Sequence, residues 1–271
     1  METLRKSAVA GHFYPSDPVA LNGIVVELLA EVPREDRVSV GAVLPHAGLE
    51  YSGRCAAAVL GRVRIPGTVV ILAPNHTGAG RSPAALWARG AFRTPLGDVA
   101  IDEDFAALVV AGCDLVADDP LAHRSEHAIE VELPFLQVRT PGVRVVPLVL
   151  AFEDWPRCRS LGRALAAAVT GADGDVLLLA SSDMTHFEPA VRAARKDALA
   201  LDAMRRLDGA ALLEVCRHEG ITMCGRGPAA CVVEAARLLG ASAGEVVDYR
   251  HSGQVTGDDE SVVAYAGVIL S

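Results

Sequence analysis

Short apolar runs alternate along the chain with longer segments in which apolar residues recur every three or four positions. The apolar runs have the length of β-strands and occupy residues 38–44, 68–73, 143–150, 175–181 and 261–270. The segments with helical spacing lie between them, at 55–63, 126–138, 157–169 and 227–239. Such alternation of strands and crossover helices is typical of α/β folds.

The strand-length runs are apolar on both faces, so a layer of helices is needed on each side of the sheet they form. The sequence therefore predicts an α/β fold, a three-layer α/β/α sandwich around a mixed, mostly parallel sheet. We expect residues 1–271 to form a single domain, because α/β domains commonly reach about 250 residues. Segments 74–97 and 114–126 are rich in glycine, proline, aspartate and arginine, and are predicted to be long functional loops.

Composition narrows the classes of function. The formal net charge is -9 and aromatic residues make up 4% of the chain. Nucleic-acid binding is not expected, since it needs clustered Lys and Arg and rings that stack on bases. No apolar run approaches the ~18 residues of a membrane span, and no signal-like segment opens the sequence. We therefore expect a cytoplasmic protein that does not bind a membrane.

Three of the apolar strands are followed directly by side chains that can bind metal or transfer protons. His46 follows the first strand, His76 the second, and Asp183 and His186 the fourth. Ligands of open α/β sheets bind beyond the carboxyl ends of the strands, so these side chains are expected to converge. A lone histidine after a strand is more often a loop or capping residue, but three such exits together favour a site. Imidazole suits iron, copper or zinc.

The motifs around these residues resemble those of the Memo family along nearly the whole chain. They are AGHFYPSDP (10–18), PHAGLEYSG (45–53), PNHTG (74–78), RTPLGDVAID (93–102), EHAIEVELPFLQ (126–137), SSDMTH (181–186) and CGRGP (224–228). Memo proteins are similar in fold to the catalytic subunits of class III extradiol dioxygenases, which hold ferrous iron with two histidines and a glutamate. In the Memo family a cysteine takes the third place. The resemblance thus implies that His46, His76 and Cys224 are metal ligands.

The same resemblance assigns roles to residues around the ligands. Asp183 and His186 correspond to a carboxylate behind the ligands and to the acid/base histidine of the dioxygenases. An alternative for Asp183 is that it caps a helix following its strand. His127 is expected to line the substrate pocket, and Tyr51 either lines this pocket or packs against it.

Two further sets of residues are interpreted from their neighbours. Arg226 is expected to contact substrate, and, with the N-terminus of the following helix, to lower the pKa of the Cys224 thiol. A buried, inert cysteine is the alternative for this position. Glu126 is expected in the first turn of its helix, where an acid favours the helix dipole, and Glu130 and Glu132 are expected on a solvated helix face.

These features predict a metal-dependent redox protein similar to non-haem iron dioxygenases. Fe²⁺ is the expected metal, and a thiolate ligand also admits copper or zinc. A second hypothesis is a scaffold that binds a peptide or small molecule in the same pocket without turnover, as described for animal Memo relatives. A third is a zinc hydrolase. Bacterial and archaeal relatives are associated with radical SAM and AMMECR-type proteins in the AmmeMemoRadiSam system, so the resemblance implies these partners and a role as protein B of that system.

Overall fold

A computed structural model describes residues 3–271 of the chain. Its strands are β1 (Leu4–Arg5), β2 (Gly41–Leu44), β3 (Thr68–Pro74), β4 (Ala84–Leu86), β5 (Ala91–Thr94), β6 (Gly97–Ala100), β7 (Val116–Asp118), β8 (Arg144–Leu150), β9 (Val176–Ser181), β10 (His186–Glu188), β11 (Gly244–His251) and β12 (Val262–Leu270). Its α-helices are α1 (Pro18–Ala30), α2 (Leu49–Leu60), α3 (Glu103–Gly112), α4 (Ala128–Arg139), α5 (Trp155–Thr170), α6 (Ala190–Arg205), α7 (Gly209–Glu219), α8 (Arg226–Leu238) and α9 (Gly253–Thr256).

The large sheet has the strand order β10-β12-β2-β9-β3-β8-β4-β7, and β11 pairs with β12. Its centre is parallel, because β2 and β3 both flank β9 in parallel and β3 is also parallel to β8. Antiparallel pairs lie outside this centre, where β12 meets β2 and β4 meets β8. The prediction of a mixed sheet is confirmed, and the pairs among its described strands are divided equally between parallel and antiparallel.

Helices cover the apolar strands of this sheet. Every residue of β3 and of β9 is buried. One group of helices consists of α1, α2 and α4, with α2 packed on β2 and β12 and α4 on β3. A second group consists of α3, α5, α6, α7 and α8, with α8 packed on β2, β3 and β9. The sheet flanked by helices agrees with the layered α/β fold expected from strands that are apolar on both faces.

The two segments predicted as long loops contain short strands. Segment 74–97 includes β4 and β5, and segment 114–126 includes β7 and a 3-10 turn at Pro120–Ala122. These strands have three or four residues, which is too short for a periodic pattern to be recognised. Residues 75–83, between β3 and β4, do form an extended connection without a strand or helix. Within the described residues, no helix is long and apolar enough to cross a membrane.

The expectation that Glu130 and Glu132 lie on a solvated face is wrong. Both are buried, at 0% and 1% exposure. The Glu130 carboxylate forms an ion pair with buried Arg5 and accepts hydrogen bonds from the Tyr14 hydroxyl and from the backbone N–H groups of Ala8 and Val9. Buried charges require such partners, and here the partners come from the N-terminal segment. The network ties that segment to α4, next to the carboxyl ends of the parallel strands.

Candidate metal centre

His46 lies two residues after β2 and is buried, with 1% of its surface exposed. The parallel register pairs Leu44 with Ser181 at the end of β9, so the two strand exits lie side by side. The His46 backbone N–H donates to Asp183 Oδ1 at 2.9 Å, and its Nδ1 lies 2.8 Å from Ser181 Oγ. These contacts fix the ring and leave Nε2 for another partner.

His76 follows β3 and is held by Glu126, which lies just before α4. Its backbone N–H donates to Glu126 Oε2 at 2.7 Å, and its Nδ1 lies 2.9 Å from Oε1 of the same carboxylate. Glu126 also accepts the backbone N–H groups of His127 at 2.9 Å and Ala128 at 3.1 Å. One buried carboxylate therefore joins the exit of β3 to the beginning of α4, and it satisfies N–H groups that the first turn leaves open.

Three imidazoles meet at this point. The ring centroids of His46 and His76 are 5.1 Å apart, those of His46 and His127 are 5.3 Å apart, and those of His76 and His127 are 4.7 Å apart. One nitrogen from each ring lies within 4.8 Å of one nitrogen from each of the others. The structure thus brings His46 and His76 together, and it adds His127, which was expected only to line the pocket.

Cys224 lies in the turn before α8. Its Sγ is 3.3 Å from His46 Nε2 and accepts the Asp183 backbone N–H at 3.2 Å. The next residue, Gly225, permits this close approach, because a Cβ there would lie 2.2 Å from the Ser181 carbonyl oxygen. Of the six cysteines, Cys224 alone is partly exposed, and the other five are buried.

The electrostatics of the site follow from its burial. Burial holds the pKa of His46 well below its usual range, with the charges of His76 and His127 adding to the effect. Burial likewise lowers the pKa of His127. Burial opposes ionisation of Glu126, but the hydrogen bond and charge of His76 outweigh it and lower the pKa of that carboxyl to about 2. Two imidazoles are therefore neutral beside a carboxylate, and neutral imidazole is the form that binds metal.

The expectation that Arg226 and the helix N-terminus lower the pKa of Cys224 is wrong for the chain without metal. Burial, and then the charge of Asp183, raise the pKa of this thiol well above its ordinary value. The Arg226 guanidinium is engaged by Glu153, with Nε 2.7 Å from Oε2 and a second contact to Oε1. The thiol therefore becomes a thiolate only where a cation replaces its proton.

Asp183 lies between β9 and β10, and His186 is the first residue of β10. No helix follows β9 directly, so the alternative that Asp183 caps a helix is wrong. Asp183 instead accepts the His46 N–H, and its burial raises the pKa of the carboxyl. The His186 Nδ1 lies 3.1 Å from the Thr222 carbonyl oxygen, so this contact does not occupy the His186 Nε2.

The remaining residues of the predicted pocket occupy different places. Tyr51 lines a groove of about 600 Å³ together with Phe13. Phe13 contacts the centre directly, since its ring centroid lies 4.9 Å from that of His127. His123, four residues before His127, is buried elsewhere, and its Nε2 lies 2.9 Å from the Ala85 carbonyl oxygen. Tyr51 thus borders the groove beside the imidazole cluster, and His123 does not belong to it.

Sequence reasoning did not identify Ser181 and Glu126 as the groups that orient the imidazoles. A weak signal exists for both. Ser181 is the polar last residue of an apolar strand whose neighbour ends at Leu44, and Glu126 directly precedes His127. Such outer partners are expected wherever a histidine binds metal, because they fix its tautomer and orientation.

The donor set fits a single transition-metal ion. A tetrahedral ion with bonds of about 2.1 Å to nitrogen and about 2.3 Å to sulfur separates the two ligand atoms by roughly 3.5 Å. The distance of 3.3 Å between His46 Nε2 and Cys224 Sγ is close to that value. The nitrogens of His46, His76 and His127 lie within 4.8 Å of one another, and Cys224 is not part of this mutually close group.

Comparison with known proteins gives consistent matches over the whole length. The family model described as "Memo-like protein" matches residues 5–269. A MEMO1 family protein of Methanopyrus kandleri is 41% identical over 98% of both chains, and one of Aquifex aeolicus is 40% identical over 98% of this chain and 99% of that one. The crystal structure of an uncharacterized Escherichia coli K12 protein aligns with a TM-score of 0.59, at 14% identity, over 87% of this chain and 100% of that one. This last match supports the fold alone.

Proposed function

The chain belongs to the Memo-like protein family, and we propose that it is a metal-binding member that carries out dioxygenase-like redox chemistry at one metal ion. The observation that carries the proposal is the convergence of the His46, His76 and His127 nitrogens within 4.8 Å. Rings that serve only the packing of a core do not need to meet in this way. The Nδ1 atoms of His46 and His76 are held by Ser181 and Glu126, and such outer partners orient histidines that bind a metal.

His46, His76 and Cys224 are proposed to hold the ion. The choice of Cys224 rests on its 3.3 Å distance to His46 Nε2, and it leaves His127 beside an open position. Three protein ligands with an open position are typical of catalytic sites, whereas four closed ligands are typical of structural ones. His127 is the alternative third ligand, and the group of mutually close ligand atoms contains His127 and not Cys224.

Ferrous iron is the proposed ion, with copper or zinc as alternatives, and bound iron would supply electrons for reaction with dioxygen. The protein's own groups have separate tasks. Ser181 and Glu126 orient the imidazoles of His46 and His76. His186, held through Nδ1 by the Thr222 carbonyl oxygen, can hold or pass a proton at Nε2.

Metal binding is tested by anaerobic calorimetric titration of the metal-free chain with ferrous iron. The wild type is expected to bind one equivalent, and His46→Ala and His76→Ala are expected to lose it. His218→Ala removes an exposed imidazole of α7 and serves as the matched control. Undiminished iron binding by His46→Ala would sink the proposal.

The identity of the third ligand is tested with cobalt. Cobalt bound through a thiolate has an intense near-ultraviolet charge-transfer absorption that nitrogen ligands do not produce. If Cys224 is a ligand, Cys224→Ser abolishes this band, and His127→Ala retains it. The opposite pattern, with no such band in the wild type and loss of cobalt in His127→Ala, would assign the third position to His127.

A scaffold remains the second candidate function, favoured by the groove that Phe13 and Tyr51 line beside the centre. Its occupant would be a peptide or a small molecule. Oxygen uptake by the iron-loaded chain with a reductant separates the two functions, because a scaffold consumes none. Partnership with radical SAM and AMMECR-type proteins is proposed for either function, and co-purification with those proteins tests it.

A further inference from the structure

A cleft of about 650 Å³ opens beside the imidazole cluster, on the side of Cys224. Its floor includes Pro74 and Leu150, the last residues of the parallel strands β3 and β8, and Cys224 forms part of its wall. Clefts of this size bind small molecules, and the carboxyl ends of parallel strands are where α/β folds place them. The cleft differs from the groove lined by Phe13 and Tyr51, with which it shares no lining residue.

The charged side chains of this cleft favour an anion. Its lining contains Arg81, Arg157 and one acid, Glu153. Glu153 is already neutralised by Arg226, and Arg157 pairs with Asp154. Among the described residues, the Arg81 guanidinium forms no ion pair, although the Asp119 carboxylate accepts the Arg81 backbone N–H, so this side chain is left to bind a ligand.

Two further features act in the same direction. Gly227 and Pro228, in the first turn of the 13-residue helix α8, line the cleft, and a helix N-terminus attracts negative charge. The loop that carries Arg81 is also held in place. The Arg81 backbone N–H donates to Asp119 Oδ2. The neighbouring Gly80 has a φ of +87° and packs so tightly that a Cβ there would lie 2.8 Å from the Ala122 Cβ.

We infer that this cleft is the substrate subsite, and that it takes a small molecule with a carboxylate or phosphate group bound by Arg81 near the N-terminus of α8. That the bound molecule is a substrate rests on the proposed function, because its reacting end would lie towards Cys224 and His46. The anion site itself is built by residues that hold no metal. It can therefore be tested on the metal-free chain.

The test compares two alkylating reagents of similar size at Cys224, the one cysteine that is partly exposed. Iodoacetate is an anion and iodoacetamide is neutral, and the Cys224 sulfur displaces iodide from either. The rate ratio is the rate of alkylation by iodoacetate divided by that by iodoacetamide, both measured by mass spectrometry of the Cys224 peptide. It reports attraction of an anion into the cleft, because the intrinsic reactivity of the thiol is common to both reagents. Added inorganic phosphate or malonate is expected to lower the iodoacetate rate, and the more effective competitor identifies the preferred anionic group.

Arg81→Ala is expected to lower the rate ratio on the order of fivefold, as one unit charge near a protein surface would. Arg81→Lys should retain most of the wild-type rate ratio. Arg195→Ala, which removes an exposed arginine of α6 outside the cleft, should leave it unchanged.

A ratio that is the same in Arg81→Ala and in the wild type would overturn the inference. So would a calorimetric titration of the metal-free wild type in which neither malonate nor inorganic phosphate binds, because that measurement does not depend on ionisation of the Cys224 thiol. Arg81→Ala should bind ferrous iron as the wild type does in calorimetric titration, so failure of the metal proposal and failure of the anion site give different results.

Discussion

Replacement of Glu126 by Gln removes the charge that orients two of the three imidazoles while keeping the shape of the side chain. The carboxylate contacts His76 through two hydrogen bonds and accepts the backbone N–H groups of His127 and Ala128. It is 2% exposed, so water cannot replace these partners. We expect Glu126→Gln to destabilise the metal-free fold by an amount that depends on pH.

The size of that effect follows from the pKa of Glu126, which is lowered from 4.5 to about 2 in the folded chain. At ~1.4 kcal/mol for each unit of pKa, the difference corresponds to about 3 kcal/mol of stability. A carboxyl group with a depressed folded pKa contributes this stability above its unfolded pKa. The contribution is lost as the pH falls through about 4.5 and towards about 2.

Urea unfolding followed by far-ultraviolet circular dichroism, over a series of pH values, measures this contribution in the wild type and in Glu126→Gln. The two free energies of unfolding should differ by about 3 kcal/mol near neutral pH and approach each other in acid. Glu219→Gln, an exposed carboxylate at the end of α7, should change the stability little at any pH. A difference between wild type and Glu126→Gln that does not vary with pH would refute the reasoning.

Three further predictions concern groups around the site. Ser181→Ala removes the partner of His46 Nδ1 and should weaken metal binding by about 10- to 100-fold in a chelator competition, with the circular dichroism spectrum unchanged. Arg5→Met leaves the Glu130 carboxylate buried without its cation and should cost about 3–5 kcal/mol in urea unfolding. Gly225→Ala places a Cβ 2.2 Å from the Ser181 carbonyl oxygen, so it should lower both the thermal midpoint and the metal stoichiometry. Unchanged values in these measurements would contradict the corresponding contacts.

The central part of the fold could be predicted because its signal is local. Strands β3 and β9 are apolar at nearly every position, and only a strand buried on both faces needs such a sequence. The rule that parallel strands end at one edge of the sheet then brings His46 and Asp183 together from positions 137 residues apart. These two inferences needed no knowledge of side-chain packing.

The parts that sequence did not predict depend on distant partners. Glu130 was expected on a solvated helix face because its cationic partner, Arg5, lies 125 positions away in the sequence, on a strand of two residues. The thiol of Cys224 has a charged residue and a helix next to it in sequence, but burial, which sequence does not show, decides its pKa. The third imidazole, His127, could not be placed because its position depends on how Glu126 joins α4 to the exit of β3.

The most direct test of the metal centre is the X-ray absorption spectrum of the iron-loaded chain. We predict scatterers at distances typical of imidazole nitrogen, about 2.1 Å, together with one sulfur at about 2.3 Å that is lost in Cys224→Ser. A spectrum with oxygen ligands only, unchanged in His46→Ala, would contradict the proposal that the exits of β2 and β3 and the turn before α8 form one metal site.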